Sequence, residues 1–140
     1  MERSTYNTAT PSLNADVYSD FYTNLTIHPN KADLVVLKNE AAVMRSIKNI
    51  ILTSPGERFY NKDFGCGIKK YLFEPLDNVT IEDVRSNIVG SIGNFEKRAN
   101  VIEVLVSYDD EMNALYVSVV FTLINSNKSI TLNLKIDRVR

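Results

Sequence analysis

Between residues 80 and 108 the spacing of apolar side chains changes from a helical to a strand period. Ile81, Val84, Ile88, Ile92 and Phe95 recur every three or four residues, which puts them on one stripe of a helix. Thr80 is the expected N-cap, Asp83 stands in the capping-box position, and Glu82 and Asp83 suit the positive end of the helix dipole. Beyond Arg98 the period falls to two, with Ile102, Val104, Val106 and Tyr108 on one face and Glu103, Leu105 and Ser107 on the other. Glu96, Lys97 and Arg98 therefore occupy the corner between a helix and a strand.

Other segments read the same way. Residues 39–52 predict a core helix with Asn39 as its cap and Val43, Met44, Ile47, Ile50 and Ile51 on one face; Pro55 and Gly56 stop it. Residues 68–73 suggest a short helix that buries Ile68, Tyr71 and Leu72 before Pro75, with Glu74 and Asp77 flanking the stop as solvated acids or caps. Strands are expected at 101–108, 114–124 and 129–137. The last alternates cleanly, with Ile130, Leu132, Leu134 and Ile136 inward and Thr131, Asn133, Lys135 and Asp137 outward. The middle run is apolar on both faces, as a central strand is. Short loops favour an antiparallel meander in sequence order. The expected fold is α+β: two main helices packed on a C-terminal three-stranded antiparallel sheet, preceded by an extended N-terminal arm. Residues 1–15 read as a flexible tail, and 16–140 as a single domain whose first stretch carries Val17, Phe21, Tyr22, Leu25 and Ile27 without a clean period.

The chain has 140 residues, 44% hydrophobic and 24% charged, which is a globular composition with length enough for one core. Its 16 basic and 17 acidic residues leave a formal net charge of -1, so no global field favours nucleic acid or an anionic membrane. No segment approaches the length of a membrane span, and the polar N-terminus lacks the apolar run of a signal peptide. Cys66 is the single cysteine, which excludes an internal disulfide and suits a reducing compartment.

Candidate chemistry is thin. His28, the one histidine, precedes Pro29 in a polar turn and reads as a surface side chain, which leaves Cys66 without an evident base. Gly65 and Gly67 lack the lead-in strand and the lysine-serine pattern of a phosphate loop and read as turn glycines. The acidic run Asp109, Asp110, Glu111 lacks calcium-loop spacing and reads as a solvated turn. Two carboxyl groups suffice for glycoside hydrolysis, but any sequence offers such pairs. The residues thus give no catalytic, cofactor or metal site. At the corner, one reading has Arg98 satisfying helix carbonyls with Glu96 solvated nearby; the sharper one has the arginine fork docking a partner's carboxylate or carbonyls.

Taken together, Thr53 with Gly56-Glu57-Arg58, then Phe64-Gly65-Cys66, then Leu72-Phe73-Glu74-Pro75, and finally the corner Asn94-Phe95-Glu96-Lys97-Arg98 resemble one family. It is the baseplate sheath initiator of contractile phage tails, with relatives in type VI secretion and other contractile injection systems. The resemblance covers about residues 34–138. The family carries Glu-Pro-Arg at the corner, matched here by Glu96 and Arg98 with Lys97 in place of proline. It implies a structural protein of the virion, without enzymatic activity or cofactor, located at the tail baseplate and assembled in the host cytoplasm. Its implied partners are the core-bundle proteins of the baseplate wedge, bound through Glu96, Lys97 and Arg98, and the tail sheath protein. Tail tube or hub proteins are further candidates. The sheath would meet the edge strand bearing Thr131, Asn133, Lys135 and Asp137, and this contact would template the first sheath ring. The alternatives are a peptidoglycan-cleaving lysozyme of the tail with Glu74 or Glu96 as its acid, and an adaptor in a bacterial contractile secretion system.

Overall fold

The two apolar helix stripes and the inward faces of three strands meet in one core. The computed structural model describes residues 18–21, 24–27, 29, 33–34, 36–75, 77–109, 111–124, 126 and 128–137. The expected tail at 1–15, and Val17, Tyr22, His28, Asp110 and Arg138, lie outside the described residues. Helices α1 (Glu40–Leu52) and α2 (Asn78–Phe95) cover one face of an antiparallel sheet of β3 (Ala99–Asp109), β4 (Ala114–Leu123) and β5 (Ser129–Asp137), in the order β3-β4-β5. Val43, Ile47 and Ile51 from α1 join Val84, Ile88 and Ile92 from α2 against Val104, Leu115, Val117, Val119 and Phe121. Each such fully buried side chain contributes about 1.5–3 kcal/mol relative to exposure. This is the α+β arrangement expected from the periods, and the β5 bounds and its inward and outward faces are as read.

Local details differ where partners decide them. The N-cap of α2 is Asp77 rather than Thr80: its Oδ1 accepts the Thr80 backbone N–H at 2.8 Å, so the helix starts a turn before its apolar stripe. This leaves Glu82 and Asp83 beyond the first turn. Asn39 does occupy the cap position of α1, but its side chain makes no helix cap. Its Oδ1 accepts the Tyr18 N–H at 3.2 Å while its own N–H donates to the Tyr18 carbonyl at 2.7 Å. That exchange fixes β1 (Ser19–Phe21), which pairs with β2 (Val36–Lys38) in a two-stranded sheet beside α1 that the sequence pattern did not announce. The short helix at Ile68–Phe73 is a 3₁₀ turn that buries Ile68 and Leu72 and leaves Tyr71 half-buried.

Strand β3 also departs from simple alternation. Its pairing with β4 shifts between Val101 and Glu103, a bulge that turns Ile102 outward at 61% exposure. Ile102 therefore does not share the core face of Val104, Val106 and Tyr108. The bulge instead brings Val101, the first residue of the expected strand, and Ala99, two residues ahead of it, onto that face.

Between α1 and the 3₁₀ turn the chain loops out and returns. Gly65 has φ +110°, and a Cβ there would come within 2.2 Å of the Thr53 carbonyl oxygen, so only glycine fits. The Cys66 N–H donates to the Ile50 carbonyl at 3.2 Å and its Sγ–H to that of Ile51 at 3.1 Å. Burial pushes the Cys66 thiol up, as suits an inert core sulfur.

Candidate functional site

The corner is built where α2 runs out of hydrogen-bond ladder. The Glu96 N–H donates to the Ile92 carbonyl at 2.8 Å, the last backbone bond of the helix, and Glu96 then leaves helical geometry with φ -124° and ψ 84°. Its side chain turns inward and is only 3% exposed. The reading of a solvated Glu96 is thus overturned: the C-cap carboxylate is buried, within hydrogen-bond reach of Ser46 on α1. An ionised carboxylate there needs donors. Arg98 supplies them through its fork, Nε to Oε1 at 2.7 Å and Nη2 to Oε2 at 2.6 Å, and adds its backbone N–H to Oε1 at 3.3 Å. Burial alone would raise the Glu96 pKa, but the Arg98 hydrogen bonds, with one from Ser46 on α1, hold it below the ordinary carboxylate range.

Arg98 is correspondingly held charged, first by its hydrogen bond to Glu96 and then by the charges of Glu96 and Asp20 against the opposing effect of burial. Its guanidinium carbon stands 5.3 Å from the centre of the Tyr18 ring, and its side chain keeps 34% exposure. The sharper sequence reading gave that fork to a partner; here the fork already holds Glu96. Ser46, Tyr18 and Asp20 escaped sequence reasoning because they reach the corner from α1, from the residue before β1 and from β1, which have no periodic link to it. Lys97 is exposed, and its Nζ donates to the Gly93 carbonyl at 2.6 Å, satisfying one of the free carbonyls at the helix end. Glu96 and Lys97 border an open cleft of about 280 Å³ that is also lined by Val89, Gly93, Ala99 and Val101.

The second predicted site is the free margin of β5. Among the described residues β5 pairs with β4 alone, in unbroken register from Ser129 opposite Thr122 to Asp137 opposite Ala114. Thr131, Asn133, Lys135 and Asp137 are exposed on its outer face. Lys135 donates to Asp137 at 2.9 Å, so the two charges of this strand neutralise each other. The corner and the outer face of β5 are separate places on the molecule and share no residue.

The remaining chemistry stays dispersed. Glu74 is exposed and does not line the corner cleft, and the Asp109 carboxylate is occupied with turn geometry, accepting the backbone N–H groups of Glu111 and Met112 at 3.0 and 3.2 Å. Among the described residues no three metal-ligating side chains cluster, and no helix is long and apolar enough to cross a membrane.

Residues 38–128 match the family model described as baseplate wedge protein gp25. The baseplate wedge protein gp25 of Enterobacteria phage T4 is 35% identical over 89 residues, covering 59% of this chain and 66% of that protein's length. Among solved structures, a protein from Geobacter sulfurreducens described as a candidate tail lysozyme shares the fold with a TM-score of 0.68 at 23% identity, over 76% of this chain and 97% of that one. A chain of the anti-feeding prophage baseplate follows with a TM-score of 0.61 at 19% identity, over 84% and 83%. A chain of the postcontracted pyocin R2 baseplate aligns with a TM-score of 0.51 at 16% identity, over 80% and 96%. The match through both helices, the corner and the strands β3 and β4 places this chain in the gp25 baseplate wedge family, structural components of contractile tails.

Proposed function

We propose that this protein joins the baseplate wedge to the contractile sheath, docking on the wedge core bundle through Glu96, Lys97 and Arg98 and offering β5 as the template for the first sheath ring. The observation that carries the reading is the asymmetry of the sheet's two margins. Natural edges are blunted by bulges, charge or brevity. The β3 margin has its bulge at Val101 and Glu103, whereas β5 runs regular for 9 residues with its charges paired internally. Such a margin suits main-chain hydrogen bonding to an added strand. At the corner, the Glu96–Arg98 pair acts as a preformed unit: Glu96 orients Arg98, whose exposed part and Lys97 face the partner beside the cleft.

Glycoside hydrolysis finds no support in this geometry. A general acid needs a raised pKa, and Glu96 is lowered and locked by Arg98, while Glu74 stands in open solvent. The Geobacter neighbour contributes likeness of fold alone. The phage-tail setting is favoured over a secretion-system adaptor by the T4 relative, at 35% identity.

Backbone N-methylation of β5 tests the reading without altering a side chain. Successive amides point to opposite margins, so methylating Thr131 and Asn133 blocks one side and Leu132 and Leu134 the other. One pair breaks the ladder to β4 and lowers the melting temperature. The other leaves the fold intact, and baseplates carrying it initiate no sheath. Normal sheath from both methylated forms rules out strand addition at β5.

A further inference from the structure

The largest aromatic exposure of the described residues lies in neither proposed site. In the loop after α1, Phe59 is 89% and Tyr60 102% exposed. Their rings meet each other edge-on at 6.0 Å, and the pair stands clear of the core. Exposed rings are ordinary on slack loops, but this loop is braced at every level. The Gly56 N–H donates to the Lys62 carbonyl at 2.7 Å and closes the excursion, and the Glu57 and Phe64 N–H groups donate to Ser54 and Asn61. Glu57 is bridged to Lys69 at 3.0 Å. The Arg58 guanidinium lies 3.6 Å over the Phe64 ring, which packs at 5.0 Å on Phe95, the residue before the Glu96 corner.

Two adjacent aromatic rings held out on a braced loop are the arrangement that binds at low entropic cost, since the ordering is done before the partner arrives. We infer that Phe59 and Tyr60 form a knob that inserts into an apolar pocket, rimmed by carboxylates, on a neighbouring baseplate protein. The acidic rim follows from charge. Glu57 is taken by Lys69, and Arg58, Lys62 and Asp63, the other charges beside the rings, form no ion pair among the described residues, which leaves two positive charges against one negative. The contact of Phe64 with Phe95 connects this loop to the end of α2, next to the proposed wedge-docking corner. This rests on the baseplate reading and adds a second, apolar anchor to it, of the kind in which a few aromatic side chains dominate binding.

The test uses the full chain in assembled baseplates. A benzophenone amino acid at position 60 should cross-link to a different baseplate protein, at an apolar site bordered by Asp or Glu. The same probe at the exposed Ser86 on α2 serves as reference. Phe59→Ser with Tyr60→Ser should leave the melting temperature unchanged, because neither ring is buried, yet reduce retention on baseplates at least tenfold. Cross-links to a second copy of this chain, or no more cross-linking than at position 86, overturn the inference. Equal retention of the double variant and the unsubstituted chain overturns it alone. Absence of the unsubstituted chain from baseplates overturns the baseplate reading together with it.

Discussion

Glu96 keeps its charge in a place that water scarcely reaches, and Arg98 is the reason. Removing the arginine leaves a buried carboxylate with Ser46 as its one remaining side-chain donor among the described residues. Breaking a fully buried pair costs about 3–5 kcal/mol. Arg98 is a third exposed and water can enter where it stood, so Arg98→Ala should destabilise the domain by roughly 1–3 kcal/mol. An exposed helix-end charge would contribute about 0.3–1 kcal/mol, so denaturant unfolding separates the two situations. The pH dependence gives a second check. The folded pKa of Glu96 lies below its unfolded value near 4.5, so its stabilisation is complete above that value and is lost as pH falls through the folded pKa. Without Arg98 burial raises the Glu96 carboxyl, so the gap between the unsubstituted protein and Arg98→Ala should be largest while Glu96 is ionised in both, begin to shrink as acid protonates the unpaired Glu96 of the variant, and stop changing once the paired Glu96 is protonated too. A gap independent of pH in acid would show that the ion pair contributes nothing.

At the scale of elements, the corner prepares for the proline that the family pattern has and this chain lacks. The last backbone bond of α2 is made by the Glu96 N–H, so Lys97 lies beyond the ladder. Glu96, at φ -124° and ψ 84°, has the φ that precedes proline and must open ψ by about 36° to reach the range of about 120–160° usual there. Lys97→Pro should thus shift stability by no more than about 1 kcal/mol, the lost bond from Nζ to the Gly93 carbonyl being offset by restriction of the unfolded chain. A fall in melting temperature above about 10 °C would show that the corner cannot take the ring. Elements are also where the sequence was most and least legible. The stripe through Val84, Ile88 and Ile92 and the alternation through Ile130, Leu134 and Ile136 are local patterns driven by burial, and both elements appear as read. The Ile102 bulge is set by register against β4, and the choice of Asp77 over Thr80, both readable as caps, by where the chain leaves the 3₁₀ turn. The ion pair of Glu96 depends on α1 and β1 closing over it. None of these has a period to read.

On the scale of the whole molecule, the two proposed sites border the same sheet, the corner leading into β3 and the other site lying on β5. The Arg98 carbonyl accepts the Ile124 N–H at 3.1 Å, which ties the corner to the end of β4 next to the start of β5. From there β5 runs 9 residues, roughly 27 Å, to Asp137 at the opposite end. Sites so placed, with no shared side chain, should act independently in energy but in sequence during assembly. A chain with the outward β5 amides methylated should reach the baseplate in normal amount and stop before the sheath. A chain with Arg98→Ala, assayed below its melting transition, should be depleted from the baseplate, and the sheath should be lost in proportion. Truncating one partner of a desolvated charge pair at an interface costs about 2–5 kcal/mol, so depletion should exceed tenfold at limiting concentration. Combining both changes should reproduce the Arg98→Ala outcome, because a subunit that never docks has no margin to offer. Quantifying this protein and sheath in the same particles by mass spectrometry distinguishes the cases. If Arg98→Ala particles hold the protein in full yet lack sheath, the corner acts on the sheath rather than the wedge, and the assignment of the two sites must be exchanged.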